Sequence, residues 1–259
     1  MPAPRGQFIW YDVMTTDTKA AAKFYGDVIG WSTQEHPIAD GGVYTIFSKG
    51  PAMVAGLMAI PEPMRAQGVP PCWSGYISTD DVDAEAARVK AAGGAVQREP
   101  ADIPNVGRFA VVTDPGGAAF LLFKPNTTEE PKPVAPMTPG HIGWHELMAG
   151  DLEREFKFYS RLFGWTKDKA HDMGAAMGVY QTFATRAAPC GGMMKICAQV
   201  PHPAWNYYIT VDSVAAAADR AFTRGGKVLN GPMEVPGGAW IVQALDPQGA
   251  HFAMVSAGK

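Results

Sequence analysis

Glu146 and His251 are the side chains of this sequence best suited to proton chemistry. A carboxylate beside an imidazole orients its proton and raises its pKa, and such a pair can take a proton from a carbon next to a carbonyl. A rival reading centres on GWHELMAGD (Gly143–Asp151), where His145 adjoins Glu146 and the two resemble half of a metal site. On a strand, however, neighbouring side chains face opposite sides of the sheet. Glu146 then shares a face with Trp144 and Met148, while His145 points to the packed side as a buried, hydrogen-bonded residue. The remaining histidines, His36, His141, His171 and His202, fall in predicted loops, with no Ser-His-Asp or Cys-His pattern around them.

The stretch containing Glu146 is written twice. IWYDVMTTDTKAAAKFYGDVIGW (Ile9–Trp31) matches GWHELMAGDLEREFKFYSRLFGW (Gly143–Trp165), pairing Trp10 with Trp144, Asp17 with Asp151 and Phe24-Tyr25 with Phe158-Tyr159. Further on, GVYTIF answers GVYQTF, WSGYISTDDV answers WNYYITVDSV, and DPGGAAF answers DPQGAHF in the same order. A repeat of this length marks duplicated structural modules. We place the first module at residues 1–124 and the second at 140–259, joined by a proline-rich extended linker at 125–139.

Each copy shows the same elements. Asp17 or Thr16 caps a helix with apolar residues at Ala20, Phe24 and Val28, stopped by Gly30; Asp151 and Gly164 do the same in the second copy. VDAEAARVKAAGG is a second helix ended by glycine, and GVYTIF, MVAGLMAI, GYIST, FAVVTD and AAFLLF have strand length and composition. The pattern is strand, helix and three strands, with an additional helix before the last pair of strands.

A strand leading to D-x-x-x-x-x-x-F-Y, a helix stop at G-W, a D-V-D-A helix stopped by G-G and a D-P-x-G turn together resemble the vicinal oxygen chelate superfamily of glyoxalases, bleomycin-resistance proteins and extradiol dioxygenases. The resemblance covers both halves. It implies an α+β fold of two tandem βαβββ modules, paired into curved half-barrel sheets around a cavity. It also implies four metal-ligand positions, and here those positions hold Trp10, Ser74, a residue near Leu57 and Leu121 in one copy, and Trp144, Asn206, a residue near Met193 and Ala253 in the other. No recognisable ligand set results, because a divalent ion needs several O, N or S donors converging on one point. No metal and no cofactor is expected; a divalent metal is the alternative.

With these strand phases the cavity side receives Trp10, Asp12, Met14, Ser74 and Tyr76 from the first copy, and Trp144, Glu146, Met148, Asn206, Tyr208 and His251 from the second. That lining is apolar and aromatic with few polar points, as in small-molecule pockets. Composition narrows the partners. A net charge of −3, from 22 basic and 25 acidic residues without a basic stripe, argues against nucleic acid. No apolar run spans a bilayer and no secretory leader is visible, so the expectation is a cytoplasmic protein, in keeping with three unpaired cysteines.

Sequestration or carriage of an apolar or aromatic small molecule without metal is therefore the first expectation. The alternatives are a metal-dependent enzyme of glyoxalase or dioxygenase type, which would require His145 to turn inward; a metal-free isomerase or hydroxylase-like enzyme using Glu146 and His251; and an interaction protein with vestigial cavities. A monomer with internally paired modules and a homodimer both satisfy the sequence.

Overall fold

The computed structural model describes residues 5–38, 41–127, 134–186, 188–196 and 201–259. The first half runs β1 (Phe8–Thr15), α1 (Thr18–Ile29), β2 (Ser32–Pro37), β3 (Val43–Lys49), β4 (Ala52–Ala59), α2 (Glu62–Ala66), β5 (Cys72–Ser78), α3 (Val82–Ala91), β6 (Ala95–Ile103), β7 (Gly107–Thr113) and β8 (Ala119–Pro125). The second runs β9 (Ile142–Ala149), α4 (Leu152–Phe163), β10 (Thr166–Asp172), β11 (Val179–Ala184), β12 (Pro189–Lys195), β13 (Ala204–Thr210), α5 (Val214–Thr223), β14 (Lys227–Glu234), β15 (Trp240–Leu245) and β16 (His251–Ser256). Each half forms one eight-stranded sheet, in the orders β2-β3-β4-β1-β5-β8-β7-β6 and β10-β11-β12-β9-β13-β16-β15-β14.

Two tandem modules are thus present, and each carries the β-α-β-β-β order twice where the sequence displayed it once with an additional helix. The strands that escaped notice, β2, β6, β10 and β14, are the sheet edges. STQEHP and TKDKAHD are almost wholly exposed, and charge and proline on such edges block pairing with other chains. His36 and His171, expected in loops, lie on β2 and β10. Of the linker 125–139, residues 128–133 fall outside the described residues, as does Cys197. Among the described residues no helix is long and apolar enough to cross a membrane.

The helices begin and end where local chemistry directs. Asp17 accepts the amide of Ala20 at 2.9 Å and Asp151 that of Arg154 at 2.9 Å, each satisfying an orphan donor of the first turn. Gly30 and Gly164 close α1 and α4 in the left-handed region, at φ 79° and 74°.

By contact density the chain divides into two compact units that exchange repeats. The first comprises Met1–Ile9, Ser74–Pro133 and His145–Trp205, and the second Trp10–Trp73, Val134–Trp144 and Asn206–Lys259. In the first unit α3 packs on α4, and in the second α1 packs on α5, where the Arg220 guanidinium donates to the Val28 carbonyl at 2.8 and 3.0 Å.

One buried chain of hydrogen bonds recurs in each unit. In the first, the Trp205 indole N–H donates to Tyr159 Oη at 2.9 Å, and Tyr159 O–H donates to Asp114 Oδ2 at 3.1 Å. In the second, Trp73 donates to Tyr25 at 2.9 Å and Tyr25 to Asp246 at 3.0 Å. The other oxygen of each aspartate closes its own turn: Asp114 Oδ1 accepts the amides of Gly116 and Ala118, and Asp246 Oδ1 those of Gln248 and Ala250. Around this chain the first unit stacks Trp165 between Tyr159 and Phe183, with centroids 4.8 and 4.6 Å away. Tyr159→Phe leaves a buried indole donor and a carboxylate oxygen without a partner. Urea denaturation is expected to show a loss of about 1–3 kcal/mol, and an unchanged midpoint would contradict the role given to this hydroxyl.

Candidate functional site

The helices of each sheet pack against one of its faces, and the expected site residues are read on the other. In the second unit Phe47 of β3 packs on Tyr25 of α1, which turns Tyr44 to the opposite face. There Tyr44 O–H donates to Asp12 Oδ1 at 2.6 Å, and the Trp10 indole N–H lies 3.0 Å from the same oxygen and 2.8 Å from Tyr44 Oη. Asp12 is buried. Register sets Asp12 beside Gly56 and both Met14 and Tyr44 beside Met58. Gly56 is required at that place, because a Cβ would overlap Tyr44 Oη and Asp12 Oδ1. Burial first, and then the charge and hydrogen bond of Asp12, hold the Tyr44 phenol far above its ordinary range. It therefore stays protonated and acts as a hydrogen-bond donor, not as a base.

The first unit repeats the arrangement on β9–β12. Glu146 sits beside Gly192, and a Cβ there would overlap the Tyr180 ring; Met148 and Tyr180 flank Met194. His145 sits beside Gly191, where a Cβ would meet the ring of Phe183. Phe183 and Tyr180 lie on opposite faces, and so do His145 and Glu146. His145 is buried, stacks on Phe8 with centroids 4.3 Å apart and 9° between planes, and places Nδ1 2.8 Å from the Cys190 carbonyl. It is a packed residue on the helix side, as the strand phase required.

The other expected residues distribute as follows. Trp144, Tyr208 and Ala253 share an apolar cluster in the second unit with Val255, Ile241 and Met137, and Gln243 Nε2 donates to Tyr208 Oη at 2.8 Å. Asn206 precedes Tyr208 by two residues on β13 and shares its face. His251, at the start of β16 in this unit, makes no hydrogen bond or ion pair with any described residue, and burial pushes its imidazole below the ordinary range. Ser74 and Tyr76 lie on β5 in the first unit, where Tyr76 meets Phe123 edge-on at 5.7 Å. Tyr44, Tyr180, Gly56, Gly192 and Gln243 were not among the expected site residues. The repeated GVY of GVYTIF and GVYQTF was the available signal for the two tyrosines.

The family model described as the Glyoxalase/Bleomycin resistance protein/Dioxygenase superfamily matches residues 7–122 and 139–254. The chain belongs to this superfamily. It is 34% identical over 252 residues to CFP32 of Mycobacterium tuberculosis, which is named as a glyoxylase, covering 95% of this chain and 93% of that one. It is 32% identical over 256 residues to the anthracycline biosynthesis protein DauV of a Streptomyces species, covering 95% and 91%. Among solved structures, the Mn(II)-bound glyoxalase from Novosphingobium aromaticivorans shares the fold at a TM-score of 0.66 and 20% identity, over 99% of this chain and 84% of that one.

A divalent metal is thus implied by members of the superfamily, and the residues here do not fit one. Among the described residues no three His, Cys, Asp or Glu side chains gather. Leu57 and Met193 are fully buried and, one residue from Gly56 and Gly192 along their strands, face away from Asp12 and Glu146. Met58 and Met194 face the acids' side and supply no hard donor. Asp12 Oδ1 already accepts two hydrogen bonds from Tyr44 and Trp10.

Burial lowers the His145 pKa from 6.5 to about 4, with the Cys190 carbonyl opposing. A folded-state value below the unfolded one means that the unfolded chain binds the proton first, so stability falls as pH drops from 6.5 towards 4. This histidine is expected to remove roughly 2 kcal/mol between pH 7 and pH 4.5. Denaturation of His145→Gln at the two pH values should show a correspondingly smaller difference than the unsubstituted protein, and equal differences would refute the assignment.

Proposed function

We propose that this chain holds a small apolar or aromatic molecule against the sheet faces turned away from its helices, and does so without a resident metal ion. The observation that carries this reading is the set of side chains on those faces. Trp10, Ser74 and Leu121 in one copy, and Trp144, Asn206 and Ala253 in the other, with Leu57 and Met193 near the fourth position, stand where the metalloenzymes it resembles would place their ligands. Such faces bury flat apolar surface and orient it through a few hydrogen bonds. Tyr44, held as a donor on Asp12, and the Gln243–Tyr208 pair are the fixed polar points. The methionines Met14, Met58, Met148 and Met194 provide a surface able to repack around ligands of different outline. The anthracycline relative supports a polycyclic aromatic ligand. Cys190 is a free thiol, which suits a reducing, cytoplasmic setting.

Proton transfer by Glu146 and His251 is the second reading. Its support is that burial leaves the His251 imidazole neutral, and so able to accept a proton, at pH 7. The binding reading is stronger because His251 has no carboxylate partner among the described residues.

Titration of tryptophan emission with polycyclic aromatic compounds, in chelator and again after addition of manganese, zinc, nickel or ferrous iron, tests the proposal. Saturable quenching with the same affinity under both conditions is expected, with a smaller amplitude in Trp10→Phe. Quenching that develops only after metal loading would overturn it.

A further inference from the structure

The face of β5–β8 turned away from α3 and α4 carries a cation, Arg98, where its counterpart in the second half has Asn230. Phe120 points to the helices and packs on Tyr159, so Leu121 and Phe123 point the other way. Register places Phe123 beside Phe109, and Leu121 beside both Val111 and Tyr76. Tyr76, Phe109 and Phe123 thereby line an aromatic shelf that is largely buried, with Tyr76 edge-on to Phe123 and with Leu121 and the half-buried Val111 between the rings.

Edge strand β6 brings Arg98 onto this shelf. Arg98 is in register with Val111, and its guanidinium carbon lies 4.7 Å from the centroid of the Phe109 ring. Stacking of this kind uses the flat face of the guanidinium and leaves its N–H edges for another partner. Nothing described takes them. Arg98 has no hydrogen bond or ion pair among the described residues, and the adjacent Glu99 is engaged by Lys90 at 2.9 Å.

The backbone that aims Arg98 is irregular on both sides of it, with register shifts between Val96 and Arg98 and between Arg98 and Ala101. Such breaks redirect side chains and recur beside binding sites. The second half has the same two breaks, between Val228 and Asn230 and between Asn230 and Met233. The irregularity therefore belongs to the scaffold, whereas the charge belongs to one copy: Asn230 replaces Arg98, and Ile241 replaces Phe109.

We infer that the β5–β8 face is a site for aromatic carboxylates, with the ring on the Tyr76–Phe109–Phe123 shelf and the carboxylate on the N–H edge of Arg98. This rests on the small-molecule reading above and adds a charge requirement to one of the two modules. A planar guanidinium recognises a planar carboxylate through two parallel hydrogen bonds, so the anion should add affinity beyond that of the ring.

The test is calorimetric titration with 2-naphthoate and with 2-naphthamide, which has the same ring and shape without the charge. In the unsubstituted protein the carboxylate is expected to bind roughly tenfold tighter. Arg98→Gln should erase that preference by lowering the carboxylate's affinity more than the amide's, and Arg98→Lys should restore part of it. Equal affinities in the unsubstituted protein, or a preference that survives Arg98→Gln, would overturn the charged site and leave the small-molecule reading standing. Absence of binding by both compounds would overturn the two together.

Discussion

A buried tryptophan–tyrosine–aspartate chain, made once in each compact unit, is the constraint on which the remaining structure depends. The tyrosine lies on a helix in one half of the sequence, and the aspartate opens the turn before the last strand of the other half. Its two oxygens act separately, one on the tyrosine hydroxyl and one on the turn amides, so helix position and turn shape are set by a single side chain. Burying a carboxylate carries a cost. Desolvation, joined by the nearby charge of Glu155, pushes Asp114 up to about 6, and burial also raises Asp246. Removing the hydroxyl would leave that cost in place without its compensation. Aromatic stacking then builds outward from the same tyrosines. The tryptophans of the two G-W stops complete it: Trp165 donates to the Gly6 carbonyl at 2.7 Å and Trp31 to that of Gly140 at 2.8 Å, fixing the segment that enters each first strand.

The packed faces are duplicated closely, although His145 stands for Tyr11 there, and further differences between the halves fall on the opposite faces. Asp12 becomes Glu146, Arg98 becomes Asn230, Val111 becomes Gln243 and Ala119 becomes His251. The first exchange keeps a carboxylate, and the other three alter charge or hydrogen-bonding capacity. The methionines and the glycine–tyrosine pairs, Gly56 with Tyr44 and Gly192 with Tyr180, are retained in both. A common apolar platform with different polar points suits two modules that hold related ligands by different groups.

Much of this was legible in the sequence, for identifiable reasons. Duplication exposed the modules, and the caps Asp17 and Asp151 with the stops Gly30 and Gly164 marked two helices closely, since capping is local chemistry. Strand alternation alone separated His145 from Glu146 and placed Trp10 with Asp12. The edge strands were illegible because both of their faces meet solvent, which removes the period-two signal; AVQREPADI even carries a proline. Tyr44 is visible in the sequence only as part of a repeat, since its contact with Asp12 depends on the register of β3 against β4 and on the missing side chain of Gly56. Arg98 eluded the sequence for a related reason: a register break aims it, and breaks leave no periodic trace.

The proposed function requires that these faces hold organic ligands and no metal. Its most direct test is elemental analysis of the purified protein after incubation with excess zinc, nickel, manganese and ferrous iron, followed by desalting. The donor set described here leads to retention far below one ion per chain. Retention of about one ion per chain would show that ligands converge where the present reading finds none, and would return the protein to the metal-dependent branch of its superfamily.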